Sequence, residues 1–299
     1  MRCSLSVLVL FSLLAGSQCV DATGQESATT PVQLRWKFTP DEIFVLSIVQ
    51  DMSMNIRIGE QDVKTQASNK TWMDWRTSAV DAKGTATIES KVTRMLMEIT
   101  NPVIGQFTID TDKPAAETGQ AAMIDKMIRP MVGITITNKM APDGKVTDVE
   151  IPEEALAGLG AMMSADQMSQ MIQNISPTLP AEGLTIGQSW EAVADVNMPF
   201  GVMTTNSEYT YLGTEMVQQR PLHRIDVNTR IKIVAAEGQP RLEIAEQSSG
   251  GTMWFDQENG RLTRSDVQQE FTIEVSVLPG QTMRQKVVQK VSNVFDPKP

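Results

Sequence analysis

The sequence predicts an α+β protein: a long, strongly curved antiparallel β-sheet, a half-barrel-like meander, packed around two or three Met-rich α-helices. Three observations carry that expectation. Long runs alternate apolar and polar residues with a period of two, compact turn signals separate them, and two stretches of helical spacing rich in methionine interrupt them.

The chain opens on Met1-Arg2, an apolar run from Leu5 to Leu14 and the small residues Ala15-Gly16-Ser17, the order of a secretory signal peptide. The run is shorter than the roughly 20 apolar residues of a membrane helix, so cleavage is expected, after Ser17 or after Cys19. Residues 1–19 are assigned to the leader. A periplasmic or secreted location follows, with lipid anchoring through Cys19 as the alternative and no transmembrane span once the leader is gone. Cys3 and Cys19 are the only cysteines, so no internal disulfide is expected after cleavage. Residues 20–31 are small and polar and read as a disordered lead-in.

From residue 32 to 299 a single α+β domain is expected, with half-sheets at 32–151 and 184–296 joined by helices over 152–176 as its subdivision. Strand alternation is clearest in Leu46 to Ile58, where Leu46, Ile48, Met52, Met54, Ile56 and Ile58 share one phase with Gln50. It returns at Ile225, Val227, Thr229, Ile231 and Ile233, then at Val267, Gln269, Phe271, Ile273, Val275 and Val277. A last run comprises Met283, Gln285, Val287, Gln289 and Val291. One apolar face on strands this long requires the sheet to curl around something. Asp143-Gly144, Asn259-Gly260 and Pro279-Gly280 supply hairpin turns.

Helical spacing appears over about Ala115 to Arg129, with Met123, Ile124, Met127, Ile128 and Met131 on one stripe and Pro130 as the stop. A second stretch starts at Pro152-Glu153-Glu154, where proline and two acids suit a helix N-terminus. Ser164-x-x-Gln167 reads as a capping box that restarts it, and Met168, Met171, Ile172 and Ile175 continue its apolar face. Methionine is flexible and polarizable and repacks around varied apolar groups. Met127, Met131, Met163, Met168 and Met171 are therefore candidate contacts for an apolar ligand, the competing reading of the same stripe being core packing.

Charge and residue counts exclude several chemistries. A net charge of −10, with no clustered Lys/Arg stripe, argues against nucleic acid. His223 is the single histidine and lies between arginines, poor ground for a metal or an imidazole base. Gly187-Gln188-Ser189 lacks the second glycine of a nucleophile elbow. Gly158-Leu159-Gly160 lacks the third glycine of a dinucleotide loop. The Asp256–Gly260 run lacks the closing glutamate of a calcium loop. No catalytic, cofactor-binding or metal-binding residue is assigned, and no cofactor is expected.

Three short segments resemble an uncharacterised family of exported proteins from planctomycete-type bacteria, a domain of unknown function. They are Leu34-Arg35-Trp36-Lys37-Phe38-Thr39-Pro40-Asp41-Glu42, then Pro130 to Thr135 leading to Pro142-Asp143-Gly144-Lys145-Val146, then Ile186-Gly187-Gln188-Ser189-Trp190. Asp41 stands where that family commonly has glycine. The resemblance implies no activity. The expected architecture is similar to the lipoprotein-carrier half-barrels, in which a curved sheet covers helices and an apolar cavity. The sequence therefore leads to an exported, non-catalytic envelope protein holding an apolar ligand such as a lipid. The alternative is an interaction protein with a filled core, an envelope protein partner and an exposed patch involving Trp72 and Trp75. A hydrolase is a third possibility.

Overall fold

The computed structural model describes residues 31–58, 61–155, 164–174, 176–198, 201–237, 242–278 and 281–298. The expected leader, Met163 and the Pro279-Gly280 turn lie outside the described residues. The strands are β1 (Ile43–Ile58), β2 (Gln61–Val80), β3 (Ala86–Asn101), β4 (Gly105–Asp110), β5 (Thr135–Met140) and β6 (Val146–Glu150). They continue with β7 (Ser189–Met198), β8 (Gly201–Val217), β9 (Arg220–Ala235), β10 (Leu242–Asp256), β11 (Arg261–Leu278) and β12 (Gln281–Pro297). Two described helices follow, α1 (Gly119–Ile128) and α2 (Ala165–Gln173), with a 3₁₀ turn at Arg129–Met131.

All twelve strands belong to one antiparallel sheet in the order β6-β5-β3-β2-β1-β12-β11-β10-β9-β8-β7, with β4 pairing the far half of β3. From β7 to β12 the chain is an uninterrupted meander, and β12 then pairs with β1 over fourteen residues, Phe44–Arg57 against Pro297–Arg284. The sheet curls. Ile88 on β3, Met140 on β5, Val146 on β6 and Tyr209 and Tyr211 on β8 share one apolar cluster, although they come from opposite ends of the strand order.

The expectation of a sheet packed around Met-rich helices is corrected. Of the described residues 65% are strand and 10% helix, and among them the main core contains no fully buried residue of α1 or α2; Ile172 of α2 touches it from the margin. Apart from Leu179 and Leu184 in the coil before β7, the concave face is filled from two other sources. One is the inward side chains of the strands themselves. The other is an extended strap, residues 32–38, laid across the concave face. Its backbone is hydrogen-bonded to Leu184, to Pro142 in the β5–β6 turn and to Gly260 in the β10–β11 turn. Both turns approach so closely that they need glycine. At Gly144 (φ +89°) a Cβ would lie 2.6 Å from the Pro177 carbonyl oxygen, and at Gly260 (φ +61°) 2.4 Å from the Lys37 side chain.

The strap delivers Trp36 to the centre of the core. Its ring meets Trp75 edge-on at 5.7 Å, Phe255 at 5.8 Å and Phe295 at 6.4 Å, and stacks with Phe38 at 6.2 Å. These separations match favourable aromatic pairs. The gap left beside this cluster is about 10 Å³, at the lower limit for a single water. This end of the sheet is full. Trp75 is therefore part of the core rather than of an exposed patch, and Trp72 lies under the Arg94 guanidinium, 4.9 Å from its ring centroid.

The helices are marginal elements. Ala121, Ile124 and Ile128 of α1 pack on Met97, Ile99 and Ile109 of β3 and β4. α2 touches β6 and β7, the two edge strands, and so bridges the open side of the curled sheet. Its Ser164/Gln167 capping box is formed in both directions.

Candidate functional site

A cavity of about 130 Å³ lies beneath α2, walled by β7, β8 and β9. An engineered cavity of similar size in another protein interior holds one benzene ring. Its apolar lining includes Met171 from α2, Ala192, Ala194 and Val196 from β7, Met203 from β8 and Ile231 from β9. Alternation accounts for most of the set, the inward phase of each strand, while Val193, between Ala192 and Ala194, is an exposed residue that borders the cavity. The polar part of the wall comes from Thr205, Ser207 and Gln269 on the strands and from Gln173, Asn174, Ser176 and Thr178 at the end of α2 and beyond it. Tyr209 also lines it, stacked on Trp190 at 5.3 Å. Burial pushes the Tyr209 hydroxyl up to about 12, against a weaker opposing hydrogen bond from Ser207. That side chain stays neutral throughout the physiological range.

Two glutamines hold the roof of the cavity to the sheet edge. Gln167 Nε2 donates to the Asn197 carbonyl at 2.5 Å, and the Asn197 N–H donates to Gln170 Oε1 at 3.0 Å. Side-chain amides thus take the place that a further strand would occupy on β7. On the opposite wall, β9 and β10 pair only from Gly251 to Phe255. Beyond that point Gln247 on β10 bridges the strands, accepting from Ile231 N–H at 2.7 Å and donating to its carbonyl at 3.0 Å.

Of the five candidate methionines, Met171 lines this cavity. Met168 is buried within α2. Met127 on α1 and Met131 on the 3₁₀ turn are half-buried on the β3–β4 side of the molecule, away from it. Half of the lining residues come from β7 and β8. Sequence alternation does not mark these strands, because alanine, threonine and serine occupy much of the inward phase.

Further along the concave face, Phe271, Ile273 and Val287 form a separate apolar cluster with Met52, Met54, Leu242, Ile244 and Val275. The convex face is polar on the same strands. Lys286 pairs with Glu270 at 2.5 Å and Arg284 with Glu274 at 3.7 Å. A membrane β-barrel has the reverse arrangement, apolar outside and polar within. No described helix is long and apolar enough to cross a membrane. Among the described residues no group of three or more His, Cys, Asp or Glu side chains could hold a metal ion.

His223 accepts or donates at Nδ1 to the Tyr211 hydroxyl, 2.8 Å away. Burial pushes its imidazole below the ordinary 6.5, against a smaller upward pull from Asp256. A histidine held neutral in the fold binds its proton more readily when unfolded. Its contribution is therefore complete above the unfolded value and lost as pH falls from about 6.5 toward the depressed folded value. Urea unfolding midpoints should decline on acidification through this window, and His223→Gln should flatten the decline. An unchanged slope in that variant would place the effect elsewhere.

No family model matches the chain, and no curated protein matches it. Among solved structures the chain is similar to a lipovitellin studied for its lipid–protein interactions. Identity is 10% and the TM-score 0.49, over 88% of this chain and 26% of that one. The chain thus spans about a quarter of the lipovitellin chain. DynF, from the dynemicin biosynthesis pathway of Micromonospora chersina, is 9% identical with a TM-score of 0.23, over 95% and 94% of the two chains. An outer membrane channel from Pseudomonas putida F1 is 6% identical with a TM-score of 0.19, over 86% and 97%. Likeness at this level identifies no family and carries no functional argument.

Proposed function

We propose that the protein is an exported, non-catalytic binding protein that holds an apolar chain on the concave face of its sheet, under α2. The observation that carries this reading is the contrast between the two ends of that face. Around Trp36 the core is closed, whereas under α2 a cavity of about 130 Å³ is lined by Met171, Ala194, Val196, Met203 and Ile231. Soft and small apolar side chains under a short bridging helix suit a guest of variable shape. The apolar cluster of Phe271, Ile273 and Val287 lies further along the same face, on β11 and β12. The leader-like residues 1–19 support an exported location, and the resemblance of the three short segments to exported bacterial proteins is consistent with it.

Toluene and 1-octanol test the reading directly. Both should raise the melting temperature of the purified protein in a saturable way, since a ligand that binds only the folded state stabilises it by mass action. Ala194→Trp, which fills the cavity from β7, should abolish both effects while leaving the unliganded protein folded by circular dichroism. Equal responses in the parent protein and the filled variant would place binding outside the cavity and overturn the proposal. Mass spectrometry of the mature N-terminus, finding cleavage after Ser17 or Cys19 or an acylated Cys19, checks the location; an intact leader would refute it.

A further inference from the structure

Beside the cavity, the inward face of β12 carries an amide where the strand pattern calls for an apolar residue. Gln289 is 1% exposed, yet neither its Oε1 nor its Nε2 has a hydrogen-bond partner among the described residues. It stands between Val287, of the distal apolar cluster, and Val291, of the main core. Its cross-strand partner on β11 is Gln269, which lines the cavity. Directly opposed residues on one sheet face lie about 5 Å apart at Cβ, so the Gln289 amide borders the cavity wall. One further buried atom on the same transverse band is unpartnered among the described residues, Ser249 Oγ on β10, opposite Gln269; Asn69 Oδ1 on β2, also unpartnered, lies in the neighbouring row of Gln50 and Val291. A buried amide left without partners costs free energy that an apolar residue of the same shape would not.

We infer that this band is the polar half of the ligand site, and that it selects an uncharged amphiphile whose headgroup donates a hydrogen bond, an alcohol or an amide on an alkyl chain. The inference rests on the apolar-chain reading of the cavity and names the class of ligand. Two features set the class. First, the free acceptor Gln289 Oε1 requires a donor, which hydroxyl and amide groups carry and an ester or a carboxylate lacks. Second, the band is made of amides and a hydroxyl. Among the described residues no Lys or Arg is buried, and the buried carboxylates Asp110, Asp125 and Asp256 lie away from the band, at the end of β4, on α1 and at the far end of β10, seven residues from Ser249. A carboxylate headgroup would be desolvated with no counter-charge. The guest is thus held by its tail against Met203 and Ile231, with its head turned across β11 toward β12.

Isothermal titration of the full chain at pH 8 with 1-octanol, octanamide, octanoate and toluene tests this. Octanol and octanamide should bind at least about tenfold more tightly than octanoate. Gln289→Leu should weaken both by about tenfold, roughly the worth of one neutral hydrogen bond, while toluene affinity stays unchanged. Gln289→Met, unbranched and closer in shape to glutamine, repeats the measurement should the leucine variant fold poorly. Both variants should melt at or above the parent temperature in the absence of ligand, because each removes a buried unpaired amide. Equal affinity for octanoate, or full octanol and octanamide affinity in the variants, would overturn the inference, leaving Gln289 hydrated only by water. In that outcome toluene binding would still stand for the cavity; loss of toluene together with every alkyl probe would overturn both.

Discussion

Trp36→Ala should lower the melting temperature by roughly 10 °C, more than any other single truncation in the core. The indole is 4% exposed and contacts four aromatic rings from three different strands and the strap. Truncating a buried Trp costs about 3–5 kcal/mol, because the lost transfer energy adds to an unfilled cavity. A chain of this size shifts by about 2–4 °C per kcal/mol. The effect should also be structural, since Trp36 is what holds the strap against both sides of the curled sheet. Trp36→Phe makes the argument specific. It keeps a ring at the centre and removes an indole N–H that has no partner, so it should lose less than half as much. Thermal denaturation followed by circular dichroism decides the matter. A Trp36→Ala protein melting within about 2 °C of the parent would show that the strap is decoration.

Asp125→Ala should be the most costly change of a charged residue. Asp125 is 1% exposed, accepts from the Ala116 N–H at 2.9 Å and is paired with Arg129 one helical turn on, at 2.9 Å. Arg129 in turn donates to the Thr111 carbonyl at 2.8 Å, so one ion pair ties α1 to the end of β4 and to the intervening coil. Removing one partner of a buried pair costs about 3–5 kcal/mol because the other is left uncompensated. Arg129 is partly exposed and can turn to water, which places the expected loss at about 2–4 kcal/mol. Asp125→Asn keeps an acceptor for Ala116 and should lose less. Hydrogen exchange should locate the damage, with protection lost at Ile124 and Ile128 and retained on β11 and β12. Uniform loss across the sheet would contradict the local role given to this pair.

The alternation of β1, β9, β11 and β12 was legible in the sequence because their inward residues are aliphatic. β2 was not, for a physical reason: its inward phase reads Thr65, Ala67, Asn69, Thr71, Met73, Trp75 and Thr77. Those residues are covered by neighbouring strands rather than marked by their own hydrophobicity. The capping box at Ser164 was legible since its geometry is local. What filled the sheet was not. Curvature alone left two candidates, helices or the sheet's own side chains, and only the tertiary placement of residues 32–38 decided between them. The segment Leu34 to Phe38 reads as an ordinary strand, but it joins the main sheet through turns and Leu184 rather than through a ladder. As for the site, the glutamines were in view. Gln50, Gln269 and Gln289 all fall on the apolar phase of their strands, and an amide in that phase is the signal that a buried polar contact is required.

The pairing of β1 with β12 has a bearing on when the molecule can exist at all. These are the two central strands, and partners such as Leu46 and Phe295 are about 250 positions apart along the chain. Contacts of that separation are slow to form, because the closure of so large a loop must precede any reward from them. Until β12 has been synthesised, each half of the sheet ends in an unpaired edge, β1 on one side and β11 on the other. A nascent chain arrested before that point has no way to finish its core and every opportunity to pair with a neighbour. Maturation of this protein is therefore a race between delivery of one seventeen-residue segment and association of two waiting edges, and a factor that shields those edges during synthesis would govern yield more than any gain in final stability.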